Sequence, residues 1–445
     1  MANRRILWAA AVACCLAWSA RAAEPAAPTS PPKPENPPAS SPPPKPESPP
    51  PSSPPPTPAA PDELPYVYTN WKHFTVADGL PNDHIFAVKA DGNKVWVGTE
   101  NGLALIDKRQ GKVVRSWQEK DGLPFQAVTA IEVDKKTGDV WLGLFGGGLA
   151  RYSGGRFDHF NQFNSGLVND VVYGIAMQGD NVWAATTAGC SRYNTVTGEW
   201  KIFNEKNAPM EEIWNYGVAY DGKDKMYLAV WGSGCLEFDL KKDAEKRGDP
   251  WKVYLDPDGE MEIDLYRDDG IVHVIITGVS PVNEVLWISS YFGCCRYDGR
   301  HWRGIYAHET GLPSDFTNNV KARSENECWF AHDKGLGVFA DFPTETVVTY
   351  TRDPNTLRGK AEVFRNGKVL KTVDMERAVP HSFIINIDHD GSDTWVATGK
   401  GLGWAIGDGY YAGLKKDPDW MKGAVKISDP VPSSETAPAP APAKQ

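Results

Sequence analysis

The sequence predicts an all-β chain folded as a seven-bladed β-propeller of four-stranded blades, and three observations carry that prediction. A short apolar strand built on Trp or Tyr, followed by a Gly-containing turn and a second strand, occurs seven times. The anchors of these copies lie 45, 42, 44, 60, 42 and 66 residues apart. A period of roughly 40–50 residues with four short strands per unit is that of a propeller. Between copies stands a tetrapeptide, DGLP, at Asp78–Pro81 and again at Asp121–Pro124, with GLP once more at Gly311–Pro313.

Within each copy the elements follow a fixed order. The anchored segments are VWVGTENGLALID (Trp96), VWLGLFGGGLARY (Trp141), VWAATTAGCSRYN (Trp183), MYLAVWGSGCLEF (Tyr227), LWISSYFGCCRYD (Trp287), CWFAHDKGLGVFA (Trp329) and TWVATGKGLGWAI (Trp395). Upstream lies a strand ending in a tight hairpin, as in AVKADGNKV or GIAMQGDNV, where Asp-Gly or Gly-Asp supplies the positive φ the turn needs. An aromatic edge strand comes before that: WKHF, RSWQ, GRFDHF, EWKIF, PWKVY and HWRGIY. The order is therefore outer strand, DGLP-type loop, inner strand, hairpin, Trp strand, Gly turn, third strand. The two long intervals carry insertions, near 241–270 and 350–380.

Residue chemistry suits these places. In the loop, Asp is expected to bond its own backbone two residues on, and Gly to supply positive φ. Leu should enter the seam between blades, and Pro should stiffen the approach to the inner strand. The Trp is sized to fill the gap between sheets packed about 10 Å apart. A Gly or Ala just after it permits close backbone approach. Ring closure has two candidates: Trp71–Phe74 pairing with the last blade, or an additional outer strand at Gly409–Ala412.

The alternation of W-x-G-T-x-x-G-L with D-G-L-P-x-x-x-V resembles the two-component regulator propeller repeat. The match is best at 74–106 and 117–152, good at 160–193 and 311–339, and degenerate at 215–238, 270–297 and 383–406. The resemblance implies a periplasmic sensor-type propeller that binds saccharide-like or other ligands, or dimerises. The phosphoacceptor helix and ATP-binding motif of hybrid histidine kinases have no counterpart in these residues, so kinase activity is not carried over.

The ends of the chain bear on compartment. MANRR, the apolar run ILWAAAVACCLAW and Ala20-Arg21-Ala22 read as a secretory signal over residues 1–22. A lipobox ending at Cys14 is the rival reading. Residues 23–62 form a Pro-rich linker with a near-tandem repeat, PPKPENPPASS (31–41) and PPKPESPPPSS (43–53), suited to an extended polyproline II spacer. The propeller is expected over 63–415 and a C-terminal tail over 416–445. The expected location is periplasmic or extracellular, with no transmembrane segment in the mature chain. The formal net charge of −10, spread without a basic block, argues against nucleic acid.

Strand direction alternates within a blade, so the DGLP-type loops and the Gly turns should share one face. At the fourth residue after the anchor, three blades place an aromatic: Phe145, Trp231 and Tyr291, with Phe292 beside it. The other blades have Glu100, Thr187, Asp333 and Gly399 there. The blade-four loop adds Trp214, Asn215 and Tyr216. An aromatic arc over blades two to five can stack on a saccharide-like or other small-molecule ligand or take up part of an envelope protein. The plainer reading is that the rings pack over neighbouring loops and close the channel. His84, His332 and His381 fall on adjacent blades, and the alternative function is a lyase or hydrolase with a His-lined, metal-dependent site. Loop histidines are more often simply solvated. Cys190, Cys235 and Cys294 follow turn glycines and read as small hydrophobes, with a vicinal Cys294–Cys295 disulfide as the rival. DPDGE (256–260) and DHDGSD (388–393) read as turns. The sequence indicates no cofactor and no metal ligand set; the favoured function is a non-catalytic binding module, with homodimerisation left open.

Overall fold

Each of seven antiparallel sheets begins on an inner strand and steps outward through a hairpin and a Gly turn to an outer strand. The structure, a computed structural model, describes residues 65–256, 270–341 and 345–407. Blade one comprises Ile85–Asp91, Lys94–Thr99, Gly102–Asp107 and Lys112–Trp117. Blade two comprises Val128–Val133, Val140–Leu144, Gly148–Ser153 and Arg156–Phe160. Blade three is Val172–Gln178, Asn181–Thr186, Gly189–Asn194 and Trp200–Phe203, and blade four Asn215–Tyr220, Lys225–Val230, Gly234–Asp239 and Trp251–Tyr254. Blade five is Ile276–Val282, Val285–Ser290, Gly293–Tyr297 and Trp302–Ile305. In blade seven, Ile384–Asp390, Asp393–Thr398 and Gly401–Ala405 are completed by Trp71–Phe74, with Trp71 opposite Ala405 and Phe74 opposite Leu402. The first of the two closure candidates therefore seals the ring. Gly409–Ala412 lies outside the described residues.

Blade six departs from the expected four strands. To Thr317–Ser324, Glu327–His332, Leu336–Asp341 and Glu345–Arg352 it adds a hairpin, Gly359–Arg365 and Lys368–Met375. The insertion near 350–380 extends this sheet because Asp353 closes a turn, its carboxylate accepting from the Asn355 and Thr356 amides. The alternating residues Ala361 and Val363 then turn inward to join Val348 and Tyr350 in the core. The insertion near 241–270 opens as a short helix, Leu240–Glu245, capped by the Asp239 carboxylate; residues 257–269 lie outside the described part, and with them most of DPDGE. DHDGSD forms a hairpin, as its turn chemistry implied.

The core lies between blades, where the Trp anchors sit. Trp141, Trp183, Trp287, Trp329 and Trp395 are wholly buried. Each of the first three meets a ring of the following blade at a steep angle: Trp141 with Tyr193, Trp183 with Phe238 and Trp287 with Phe339. Close approach after the anchor is real: a Cβ at Gly98 would lie 2.5 Å from the Val128 carbonyl oxygen of blade two. Burying these five indoles stabilises the fold by several kcal/mol each, at about 25 cal/mol per Å² of apolar surface.

The DGLP loop works as expected in three of its four residues. Leu80, Leu123 and Leu312 are each buried in a seam between two blades, and Gly79 and Gly122 have φ of 104° and 93°. Pro81 packs under the Gly102 turn. The Asp differs: Asp78 bonds backward to the Thr75 amide at 2.9 Å, and Asp121 to the Gln118 amide at 3.0 Å. A single 3₁₀ turn precedes the Gly, which makes this Asp the third residue of a capped turn.

Candidate functional site

One backbone hydrogen bond recurs in all seven blades and sets the geometry of the loop face. The amide of the fourth residue after the anchor donates to the carbonyl of the residue just before the inner strand. It pairs Glu100 with His84, Phe145 with Ala127, Thr187 with Val171, Trp231 with Trp214, Tyr291 with Ile275, Asp333 with Phe316 and Gly399 with Phe383. Side chains at these paired positions, with the second residue of each inner strand, crown the channel. Their residue types therefore decide what the face can bind.

Over blades two to six that crown is aromatic. Phe145 meets Tyr173 at 5.9 Å between ring centres, and Tyr173 meets Tyr216 at 5.0 Å. Tyr216, Trp214 and Trp231 lie nearly parallel, 5.5 to 5.9 Å apart. Trp231 meets Tyr291 edge-on at 5.3 Å, and Tyr291 stacks on Phe316 at 3.9 Å. All seven rings are half-buried, each keeping a side toward solvent. The structure thus brings together Phe145, Trp214, Tyr216, Trp231 and Tyr291. Phe292 stands apart, 38% exposed and packed on His273 at 4.3 Å. Tyr173 and Phe316, absent from the sequence prediction, are the links that make the strip continuous. Aligning the starts of the inner strands rather than the Gly turns would have found both.

The polar side chains beside the strip are used internally. Asn169 accepts from the Val171 amide and from the Thr187 hydroxyl, both at 2.8 Å. Asn215 is buried and donates to the Ile213 carbonyl. The indole N–H of Trp231 forms no hydrogen bond among the described residues, and that of Trp214 is buried without a partner.

The three histidines have separate local settings. His332 ends a strand of blade six rather than lying in a loop, and it is wholly buried. Its Nδ1 lies 3.1 Å from the Thr317 hydroxyl, and burial pushes the imidazole down to about 3. His381 Nδ1 accepts from the Phe383 amide at 3.1 Å, a turn-capping role that Asn82, Asn169, His273 and Ser314 play in other blades. Burial and then the Lys400 and Arg352 charges hold it below the usual imidazole value. His84 packs on Phe86 at 4.7 Å with Nδ1 3.7 Å from Glu100; burial lowers it and Glu100 opposes that. Among the described residues no three His, Cys, Asp or Glu side chains converge to hold a metal ion. The five cysteines among the described residues are buried and in no disulfide, so Cys294 and Cys295 are not bonded to each other; Cys295 accepts from the Val272 amide.

Beneath the strip the inner strands enclose a cavity of about 780 Å³. It runs from Lys135, Lys136, Asp180 and Gly222 on the hairpin face up to Thr129, Tyr173, Tyr216 and Thr277. Opposite the anchors, one side chain per blade faces this space: Lys89, Glu132, Ala176, Ala219, Ser280, Lys321 and Asp388. Lys89 binds Glu132 at 2.7 Å and Lys321 binds Asp388 at 3.0 Å, so the charges cancel. Asp388 and Asn386 also accept from the Ala90 and Val88 amides, capping the free edge of the first inner strand.

No protein-family profile and no curated protein matches the chain. Solved structures do. The extracellular domain assigned to a hybrid two component system, BT3049 of B. thetaiotaomicron, is similar over 75% of this chain and 41% of its own, at 13% identity and a TM-score of 0.53. That assigned to the one component system BT4673 of the same organism matches 76% and 40%, at 12% identity and a TM-score of 0.55. PorZ, a surface component of the type-IX secretion system of Porphyromonas gingivalis, matches 74% and 47%, at 13% identity and a TM-score of 0.52. The chain therefore spans less than half the length of these structures. No helix among the described residues is long and apolar enough to cross a membrane. At such identities the likeness is one of fold: this chain carries a seven-bladed propeller of the kind found in those extracellular sensor domains, as its repeat implied.

Proposed function

We propose that the protein is an exported, non-catalytic binding module of the cell envelope that engages a small ligand or an envelope protein through its aromatic strip. The strip itself carries this reading: seven half-buried rings in unbroken contact across five blades, on the face made by the propeller's loops. Rings needed only for packing would be buried as the anchor tryptophans are. Residues 1–22 act as the export signal and 23–62 as the spacer in this reading. Each of the three histidines has a local structural role, which favours binding over chemistry.

A thermal-shift screen of the mature chain against glycans, cell-wall fragments, metabolites and envelope-protein peptides tests it. The expected result is a stabilising hit that Trp231→Ala removes. A hit that survives both Trp231→Ala and Tyr291→Ala places binding elsewhere and overturns the proposal. N-terminal sequencing of the protein from its native compartment should find a mature chain starting at Ala23.

A further inference from the structure

We infer that the occupant of the aromatic strip is an extended proline-rich peptide carrying lysine between prolines, such as the repeat that this sequence contains twice. The inference rests on the binding reading above and names its partner class.

Four observations lead there. The strip curves around the channel over five of the seven blades, its successive ring centres 3.9 to 5.9 Å apart, with near-perpendicular steps at Phe145–Tyr173 and Trp231–Tyr291. Stepped rings offer faces and edges to a ridged apolar rod, and a few residues of polyproline II, at ~3.1 Å each, laid across part of the crown would meet several of them. The Asn and Thr groups beside the rings are already bonded within the fold, so a polyhydroxylated sugar would find few partners for its hydroxyls. A polyproline II helix has no internal hydrogen bonds and presents bare carbonyls, to which the Trp231 indole can donate. It is also ordered before binding, so little conformational entropy is lost.

Charge supplies the fourth observation. The loop leading to Trp214 carries exposed Glu205, Glu211 and Glu212 against Lys206 alone. Glu212 is fixed beside the strip: its amide donates to Ser233 at 2.8 Å, and its side chain lies over Gly232, the neighbour of Trp231. A cation on a proline-rich peptide meets these carboxylates at the rim. PPKPENPP and PPKPESPP place Lys33 and Lys45 between prolines, so a second copy of this chain is one source of the peptide.

The test titrates a synthetic peptide of residues 31–53 into the full mature chain, whose own 31–53 segment is replaced by Gly-Ser of equal length so that it does not compete. Tryptophan fluorescence reports binding. The expected result is saturation below about 1 mM, with affinity lowered at least tenfold by Trp231→Ala and less by Trp231→Phe. Glu211→Lys with Glu212→Lys should weaken the native peptide and be rescued by a peptide bearing Lys33→Glu and Lys45→Glu. Thermal melts confirm that each variant is folded. Absence of saturation, with a Trp231-dependent glycan hit in the earlier screen, overturns this inference and leaves the binding reading intact. Absence of both overturns both. Saturation indifferent to Trp231 and Tyr291 also overturns it.

Discussion

The carboxylate of DGLP bonds backward, to the amide three residues before it, because the chain makes one tight helical turn before the glycine. Asp121→Ala removes that cap, and urea denaturation should show a loss of about 1 kcal/mol. His332 carries a second prediction. His332 is wholly buried and His389 half-buried, and both are held below the ordinary imidazole value, His332 by desolvation and His389 by desolvation and then Arg323. Native protein thus resists protonation of these rings while the unfolded chain accepts it. Stability is fully present above about pH 6.5 and falls as pH drops toward 3, by about 1.4 kcal/mol per pH unit for each ring. Melting curves from pH 7 to 4 should show the decline, and His332→Asn should make it shallower. That His332 is core was hidden in the sequence, because its neighbours Asp333 and Lys334 read as loop while its ring faces Thr317 across the sheet.

Blades were legible because every one repeats a residue of distinctive size, the anchor, followed two residues on by Gly, Ala or Ser where the next blade presses in. Gly98→Val should therefore cost about 3 kcal/mol or more by forcing Val128 away, measured by thermal or urea melts. The additional hairpin of blade six was less legible. Its strands, GKAEVFR and KVLKTVDM, lack the anchor; Ala361, Val363 and Met375 are buried, and Phe364 and Val373 pack partly buried against the core. Lys368, Lys371 and the irregularity at Val363–Phe364 are the features that keep such an edge from pairing with others. The site was half legible for a related reason. Gly turns can be aligned by eye, and they yielded Phe145, Trp231 and Tyr291. Tyr173 and Phe316 sit on a different strand end, and their contacts run across blades, where spacing within one repeat carries no information.

The ring as a whole is held at its seam by chain ends that meet. Trp71–Phe74 pairs with Gly401–Ala405, and Tyr68, wholly buried, donates its amide to the Tyr350 hydroxyl and packs on Trp329. Removing residues 1–74 should lower the melting temperature by about 10 °C or more, whereas removing 1–62 should leave it unchanged within a few degrees. On the hairpin face, Lys135–Asp91, Lys136–Asp180 and Lys223–Glu284 link consecutive blades at 2.6 to 2.7 Å. These exposed pairs add little stability individually. Among the described residues the loop face has no such row of ion pairs; its continuity is aromatic. Whether those rings serve contact or packing is the central question, and comparing Trp231→Ala with Trp183→Ala by equilibrium urea unfolding answers it most directly. A binding surface predicts a cost below about 2 kcal/mol at Trp231, against about 3–5 at the buried anchor. Equal costs at the two positions would make the strip a structural plug and contradict the account.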